Sequence, residues 1–176
     1  MADVTDIEKE FRINLSAPDF DVVRAIEVGM QIEQKGRKFY LDSMNKVSEP
    51  LKPFLKFLAS QEREHEADLN DVKKTLQSMN IWVKLPPTQI QEPLRNFSVF
   101  KKHPGTEHRD NVQDIQVILT AMDMEKKTRD FYMRFSEKVK SADGRAFFKS
   151  LADWERKHYD LLSGIYNAES YVRLET

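Results

Sequence analysis

Not one cysteine occurs among the 176 residues of this chain. That absence excludes disulfides, thiolate nucleophiles, iron–sulfur clusters and a Cys₄ iron site within it, so any metal held here must be held by nitrogen and oxygen. Glycine is scarce as well, at five residues, and runs of β-branched residues are few. No apolar run approaches the roughly 20 residues that span a bilayer. The acidic residues within Met1–Asp21 do not fit the basic-then-apolar order of a signal peptide. An excess charge of one sign is missing too: charged residues make up 32% of the chain yet sum to −1. No net field points to nucleic acid or an anionic membrane, and neither is expected as a partner. The expectation is a soluble, cytoplasmic, single-domain chain large enough for one continuous core.

What the chain does have is apolar residues at persistent three-to-four spacing, which predicts an all-α fold. The first helix is read from about Asp19 to Val47, with Ile26, Met30, Tyr40, Met44 and Val47 on one stripe and Glu33 in its middle. The second is read after Ser48 as N-cap, with Pro50 in the first turn, where a missing N–H costs nothing. Its inward line is Leu51, Leu55, Leu58, Glu62, His65, Leu69, Val72 and Leu76. The third starts near Asp110 or Asn111 and presents Ile118, Met122, Glu125, Tyr132 and Phe135. The fourth follows Ser141-Ala142-Asp143-Gly144 and presents Phe148, Leu151, Glu155, His158, Leu162 and Ile165.

Short turns at Val47–Pro50 and Ser141–Gly144 require antiparallel hairpins within each half. Between the halves, residues from about Asn80 to Arg109 carry Pro86, Pro87, Pro93, Pro104 and Gly105, which break the helical pattern. A helix of about 28 residues is roughly 42 Å long, and some 30 extended residues reach more than twice that. The linker can therefore run the length of a bundle and start the third helix parallel to the second. The expected architecture is an antiparallel four-helix bundle over residues 19–172 with one long crossover between helices 2 and 3, at about 80–110. Residues 1–18 are an extension without a role, and 173–176 a tail.

Inside this pattern one motif is written twice. Glu62-x-x-His65 and Glu155-x-x-His158 lie 93 residues apart, and the eight-residue windows that end on each histidine are identical at five positions. An upstream window repeats with an offset of 92: Met30 to Tyr40 matches Met122 to Tyr132 at six of eleven positions, aligning Glu33 with Glu125. On a helix, positions i and i+3 share a face, so each Glu-x-x-His pair can reach one metal region. Six candidate ligands converge: Glu33, Glu62, His65, Glu125, Glu155 and His158. One Glu from each of two helices and a Glu-x-x-His from each of the other two is the donor set of di-iron and di-manganese carboxylate bundles. Four carboxylates and two divalent ions balance, whereas the empty site crowds like charges in a low dielectric, so metal should stabilise the fold. We assign Glu62 and Glu155 as bridges, Glu33 and Glu125 as terminal ligands, and His65 and His158 as caps on one ion each. Imidazole with carboxylate suits iron or manganese; zinc usually takes fewer ligands. If the chemistry is redox, two irons are the better choice, because two adjacent irons supply together the two electrons that splitting an O–O bond needs. Hydrogen peroxide or dioxygen then follows as substrate.

Other residues have plainer readings. Tyr40 and Tyr132 stand two turns beyond Glu33 and Glu125 and read as core tyrosines, with ligand orientation or electron transfer as the alternative. Met30, Met122, Met124 and Trp154 read as core, and Arg63 and Arg156 as ion-pair partners of Asp68 or Asp160. His103, Glu107 and His108 fall in the proline-containing linker and read as a solvated loop.

Across about residues 19–172 the chain resembles the rubrerythrin branch of the ferritin-like superfamily. The residues that carry the resemblance are Glu33 with Tyr40, Glu62-x-x-His65, Glu125 and Glu155-x-x-His158. It implies a bundle with a non-haem di-iron centre, reduction of peroxide or dioxygen, and a homodimer. Rubrerythrins also carry a rubredoxin-like domain; with no cysteine here, the resemblance implies electrons from a separate donor protein. They have, in addition, a carboxylate three residues after the third helix's ligand, where this chain has Thr128, with Gly36 as its counterpart in the first helix. That departure brings the set closer to the symmetric Glu₄His₂ centre of bacterioferritin-like ferroxidases. Three functions follow as expectations: a di-iron oxidoreductase, a ferroxidase serving iron storage, or a redox-silent metal-binding bundle.

Overall fold

The computed structural model describes residues 9–11, 21–82 and 110–174. Four long helices make the fold: α1 (Val22–Ser43), α2 (Lys52–Met79), α3 (Asp110–Lys138) and α4 (Ala142–Leu174). No strand occurs among the described residues, and residues 9–11 form a short helical segment. No helix is long and apolar enough to cross a membrane among the described residues.

The local chemistry moves three of the expected boundaries. Helix α1 starts at Val22 because Asp21 Oδ1 accepts from the backbone N–H of Val23 at 2.9 Å and of Arg24 at 3.2 Å. Ser48 does not cap α2, and Pro50 is not in its first turn. That helix begins at Lys52 after Leu51, which offers no side-chain bond, and Pro53 takes the early position that tolerates a missing N–H. Ser48 is engaged elsewhere, its N–H donating to Asp114 Oδ1 at 2.9 Å and its hydroxyl to Asp114 Oδ2. The buried Asp114 carboxylate on α3 has no water to replace those donors, so it claims the serine. Helix α4 begins earlier than expected, at Ala142, with Ser141 Oγ accepting from Gly144 N–H at 3.3 Å. At the other end of α2, Asn80 takes the left-handed conformation (φ 55°, ψ 37°) and returns its N–H to Leu76.

Asp114 is thus the bolt between the first hairpin's turn and α3. Asp114→Ala removes two bonds to a buried charge and leaves the half-buried Ser48 N–H without its partner, so we expect a loss of about 2–3 kcal/mol. Urea unfolding checks this; a change within error would mean the turn is held by packing alone.

The core divides into two clusters. One joins the start of α1 (Ala25, Ile26, Val28), the end of α2 (Leu69, Val72), the later part of α3 (Phe131, Tyr132, Phe135) and the start of α4 (Phe147, Phe148, Leu151). The other joins Tyr40 of α1, Leu51–Ala59 at the start of α2, Ile118 and Ala121 of α3, and Leu161, Leu162 and Ile165 of α4. Helices α2 and α3 therefore run in the same direction. That is the one-crossover arrangement of a ferritin-like bundle. The crossover itself lies outside the described residues, as do His103, Glu107 and His108, most of the 1–18 extension, and the last two residues of the expected tail. The expected inward lines are buried except for the half-buried Met30, Met44, Leu76 and Met122. Between the two apolar clusters the helices place their polar residues.

Candidate metal centre

Glu33 sits mid-way along α1, Glu62 and His65 along α2, Glu125 along α3, and Glu155 and His158 along α4. All six are buried, none more than 3% exposed. One donor atom from each of Glu62, His65, Glu155 and His158 falls within 4.8 Å of the others. Glu33 and Glu125 flank this group. His65 Nδ1 lies 3.2 Å from Glu33 Oε2 and 3.3 Å from Glu155 Oε1, while His158 Nδ1 lies 3.4 Å from Glu62 Oε1 and 3.5 Å from Glu125 Oε2. Each histidine thus faces the terminal-position glutamate of its own half and the motif glutamate of the other. The two rings stack at 5.2 Å between centroids.

Without a cation at the centre, protons must divide the charge. Burial, with Glu125 and Glu33 close by, pushes the Glu62 carboxyl well above its usual range. Burial, with Glu33 and Glu125, does the same to Glu155. Burial would raise Glu125 too, but the His158 charge beside it and hydrogen bonds from Glu155 and Tyr40 hold it at about 2. His158 rises to about 10 because the carboxylates of Glu125 and Glu62 outweigh its desolvation. Even so, Glu62 Oε1, Glu155 Oε1 and both nitrogens of His158 are buried without a hydrogen-bond partner. Orphaned acceptors at a point where carboxylates and imidazoles meet fit a divalent cation, which takes their lone pairs and displaces their protons.

A family model for rubrerythrin matches residues 24–166, a span that contains all six residues. The chain belongs to the rubrerythrin family. Among solved structures it is similar to a chain titled "Hypothetical Protein Pfu-1136390-001 From Pyrococcus furiosus", at 27% identity and a TM-score of 0.62, over 89% of this chain and 94% of that one. A comparison with curated proteins finds no match. A rubrerythrin-family domain with this buried His/Glu group fits a di-iron protein, and the family typically binds iron.

Several features of this rubrerythrin domain were not foreseen in the periodicity. Tyr40 and Tyr132 are buried as core tyrosines are, but each also makes a polar bond. Tyr40 donates to Glu125 and Tyr132 to Glu33, each across to the other half. Burial and the nearby glutamates keep both phenols protonated, their pKa well above 10. The seven-residue step from Glu to Tyr in each repeat was the available signal; only the fold reveals that the bonds cross. Trp154 lies in the core as expected, and its ring also stacks on His65 at 4.5 Å. Arg156 pairs with Asp153, three residues before it, at 3.4 Å and not with Asp160.

Neither Thr128 nor Gly36 supplies the extra carboxylate that the resemblance implies at that position. Thr128 turns its hydroxyl onto its own helix, donating to Met124 O at 3.1 Å, and Gly36 has no side chain to offer. A Cβ at Gly36 would stand 2.9 Å from Glu62 Oε2 and 3.3 Å from Glu62 Cδ. Gly36→Ala should therefore gain up to about 1 kcal/mol of helix propensity in the metal-free protein while weakening metal binding about tenfold or more by displacing Glu62. Chelator competition beside thermal melts separates the two effects; unchanged affinity would remove Glu62 from the ligand set.

Proposed function

We propose that this protein is a non-haem di-iron oxidoreductase that reduces hydrogen peroxide or dioxygen, drawing electrons from a separate donor protein. The observation that carries the reading is the pair of overlapping His/Glu groups with orphaned donor atoms between them. Glu33, Glu155 and His65 would hold one ion and Glu125, Glu62 and His158 the other, with Glu62 and Glu155 close enough to both histidines to bridge. Two irons, when bound, supply the paired electrons that break an O–O bond. The chain's own residues do the rest. Tyr40 and Tyr132 fix the terminal carboxylates by donating to them, the aromatic and aliphatic clusters close the bundle above and below the centre, and His65 is steadied by the face of Trp154. We further propose that the protein is cytoplasmic and works as a homodimer.

Anaerobic loading with ferrous iron, followed by stopped-flow mixing with peroxide or with oxygenated buffer, tests this. Oxidation far faster than that of free iron, with turnover once a reductant is added, is the expected result. Oxidation no faster than free iron would sink the reading.

Thr128 favours a second reading, because with no fifth carboxylate at that position the four glutamates and two histidines form a symmetric centre suited to iron oxidation for storage. Sedimentation showing only monomer or dimer would remove a storage shell. Metal analysis finding zinc in place of iron would instead point to a redox-silent bundle.

A further inference from the structure

Glu62 and Glu125 form part of the floor of a cavity of about 240 Å³ that opens between α1 and α3. The cavity exists because the residues three positions after the two terminal-position glutamates are small: Gly36 has no side chain, and Thr128 folds its hydroxyl back onto Met124. Ile32 and Met124 supply apolar walls, and Phe11, from the short helical segment ahead of α1, closes one side. Phe11 is anchored there, its carbonyl accepting from Arg24 Nη2 at 3.4 Å and its ring 4.6 Å beneath Lys35 Nζ.

Volume and charge together select an occupant. A water-sized molecule takes ~30 Å³, so hydrogen peroxide would leave most of the space to solvent, whereas an apolar cavity of about 150 Å³ already admits benzene. Both lysines at the rim are paired, Lys35 with Glu10 and Lys127 with Asp123 at 2.8 Å, so the rim offers little net positive charge to draw in an anion. Apolar walls leading to a few convergent polar groups suit a neutral molecule with one polar end.

We propose that this cavity receives a neutral organic hydroperoxide with a compact apolar body. Its O–O end lies beside Glu62 and Glu125 and its body against Ile32, Met124 and Phe11. The inference rests on the peroxide-reducing reading and names its substrate class. In the net change the O–O bond breaks and ROOH, two electrons and two protons become ROH and water. The electrons come from two equivalents of a one-electron donor protein and the protons from solvent. The alcohol product keeps the apolar body and therefore serves as a probe of the same space.

The experiment titrates zinc-loaded, redox-silent protein with 2-phenylpropan-2-ol, the alcohol of cumene hydroperoxide, and follows it by NMR. Saturable binding at one site per chain is expected, with the largest shifts at Ile32, Met124 and Thr128. Thr128→Trp, and separately Met124→Trp in case one variant misfolds, should each weaken binding about tenfold or more by filling the cavity. Unsaturable binding, or binding indifferent to both variants, overturns the proposal. With iron-loaded protein and a reductant, kcat/KM for cumene hydroperoxide should exceed that for hydrogen peroxide and fall further in either variant. Preference for hydrogen peroxide overturns the substrate class. Specific alcohol binding without reduction of either peroxide overturns the oxidoreductase reading and leaves the cavity's ligand class standing.

Discussion

Loading with two divalent ions per chain should raise the thermal midpoint of the metal-free protein by about 15–30 °C. The figure follows from mass action: an ion present at 1,000 times its dissociation constant contributes ~4.1 kcal/mol, two contribute ~8, and a chain of this size gains about 2–4 °C per kcal/mol. The pH dependence has a definite sign. Glu62 and Glu155 are raised in the folded state, so their contribution to metal-free stability is present below their ordinary value of 4.5 and declines as pH rises above it. The contribution of His158 is complete below 6.5 and is lost as pH rises through about 10. Glu125 works oppositely, contributing above 4.5 and losing that contribution as pH falls through about 2. Between 4.5 and 10 the metal-free protein therefore weakens as pH rises, while metal binding strengthens because fewer protons must be expelled. Calorimetry of both forms at about pH 6 and pH 8 should show the larger metal-induced shift at the higher pH. A smaller shift there would contradict the proton inventory of the site.

Replacing His158 by alanine should be the most damaging single change at the centre. Its Nδ1 faces Glu62, Glu125 and Glu155 at 3.4, 3.5 and 3.8 Å, with the side chain fully buried. In the loaded protein, His158→Ala removes the only nitrogen ligand proposed for one ion, and we expect at most one ion per chain by metal analysis. In the metal-free protein it removes the cation that keeps Glu125 ionised, at a cost of about 3–5 kcal/mol for an uncompensated buried charge, less whatever protonation recovers. Arg156→Ala, two residues away on the same helix, is the control: its pair with Asp153 is more than half exposed on both sides, so metal content and melting should hardly change. If the two variants behave alike, His158 has no special place at the centre.

The four helices and the six converging residues could be read from the chain because both depend on spacing. A Glu-x-x-His repeated at a fixed offset within apolar lines has to land on facing helices, and it does. What could not be read was choice among competing partners. Ser48 is a sound capping residue by type, yet Asp114, 66 residues later, takes both of its donors. The tyrosines' short step from Glu33 and Glu125 suggested neighbours on one helix, whereas the hydrogen bonds run between helices because the phenols lie two turns away, level with the opposite half's carboxylate. Phe11, in a segment without periodicity, could not be placed at all from its neighbours, and in the fold it joins the core and one side of the cavity.

The crossed tyrosines have a consequence for assembly. Each hairpin, α1–α2 or α3–α4, carries one glutamate and one Glu-x-x-His, but the phenol that steadies its glutamate belongs to the other hairpin. Neither hairpin is self-sufficient; each is, in effect, the other's subunit. A protease cut between Trp82 and Asp110 would leave two fragments that hold the centre only while mated, so loss of metal and separation of the halves would coincide as one event.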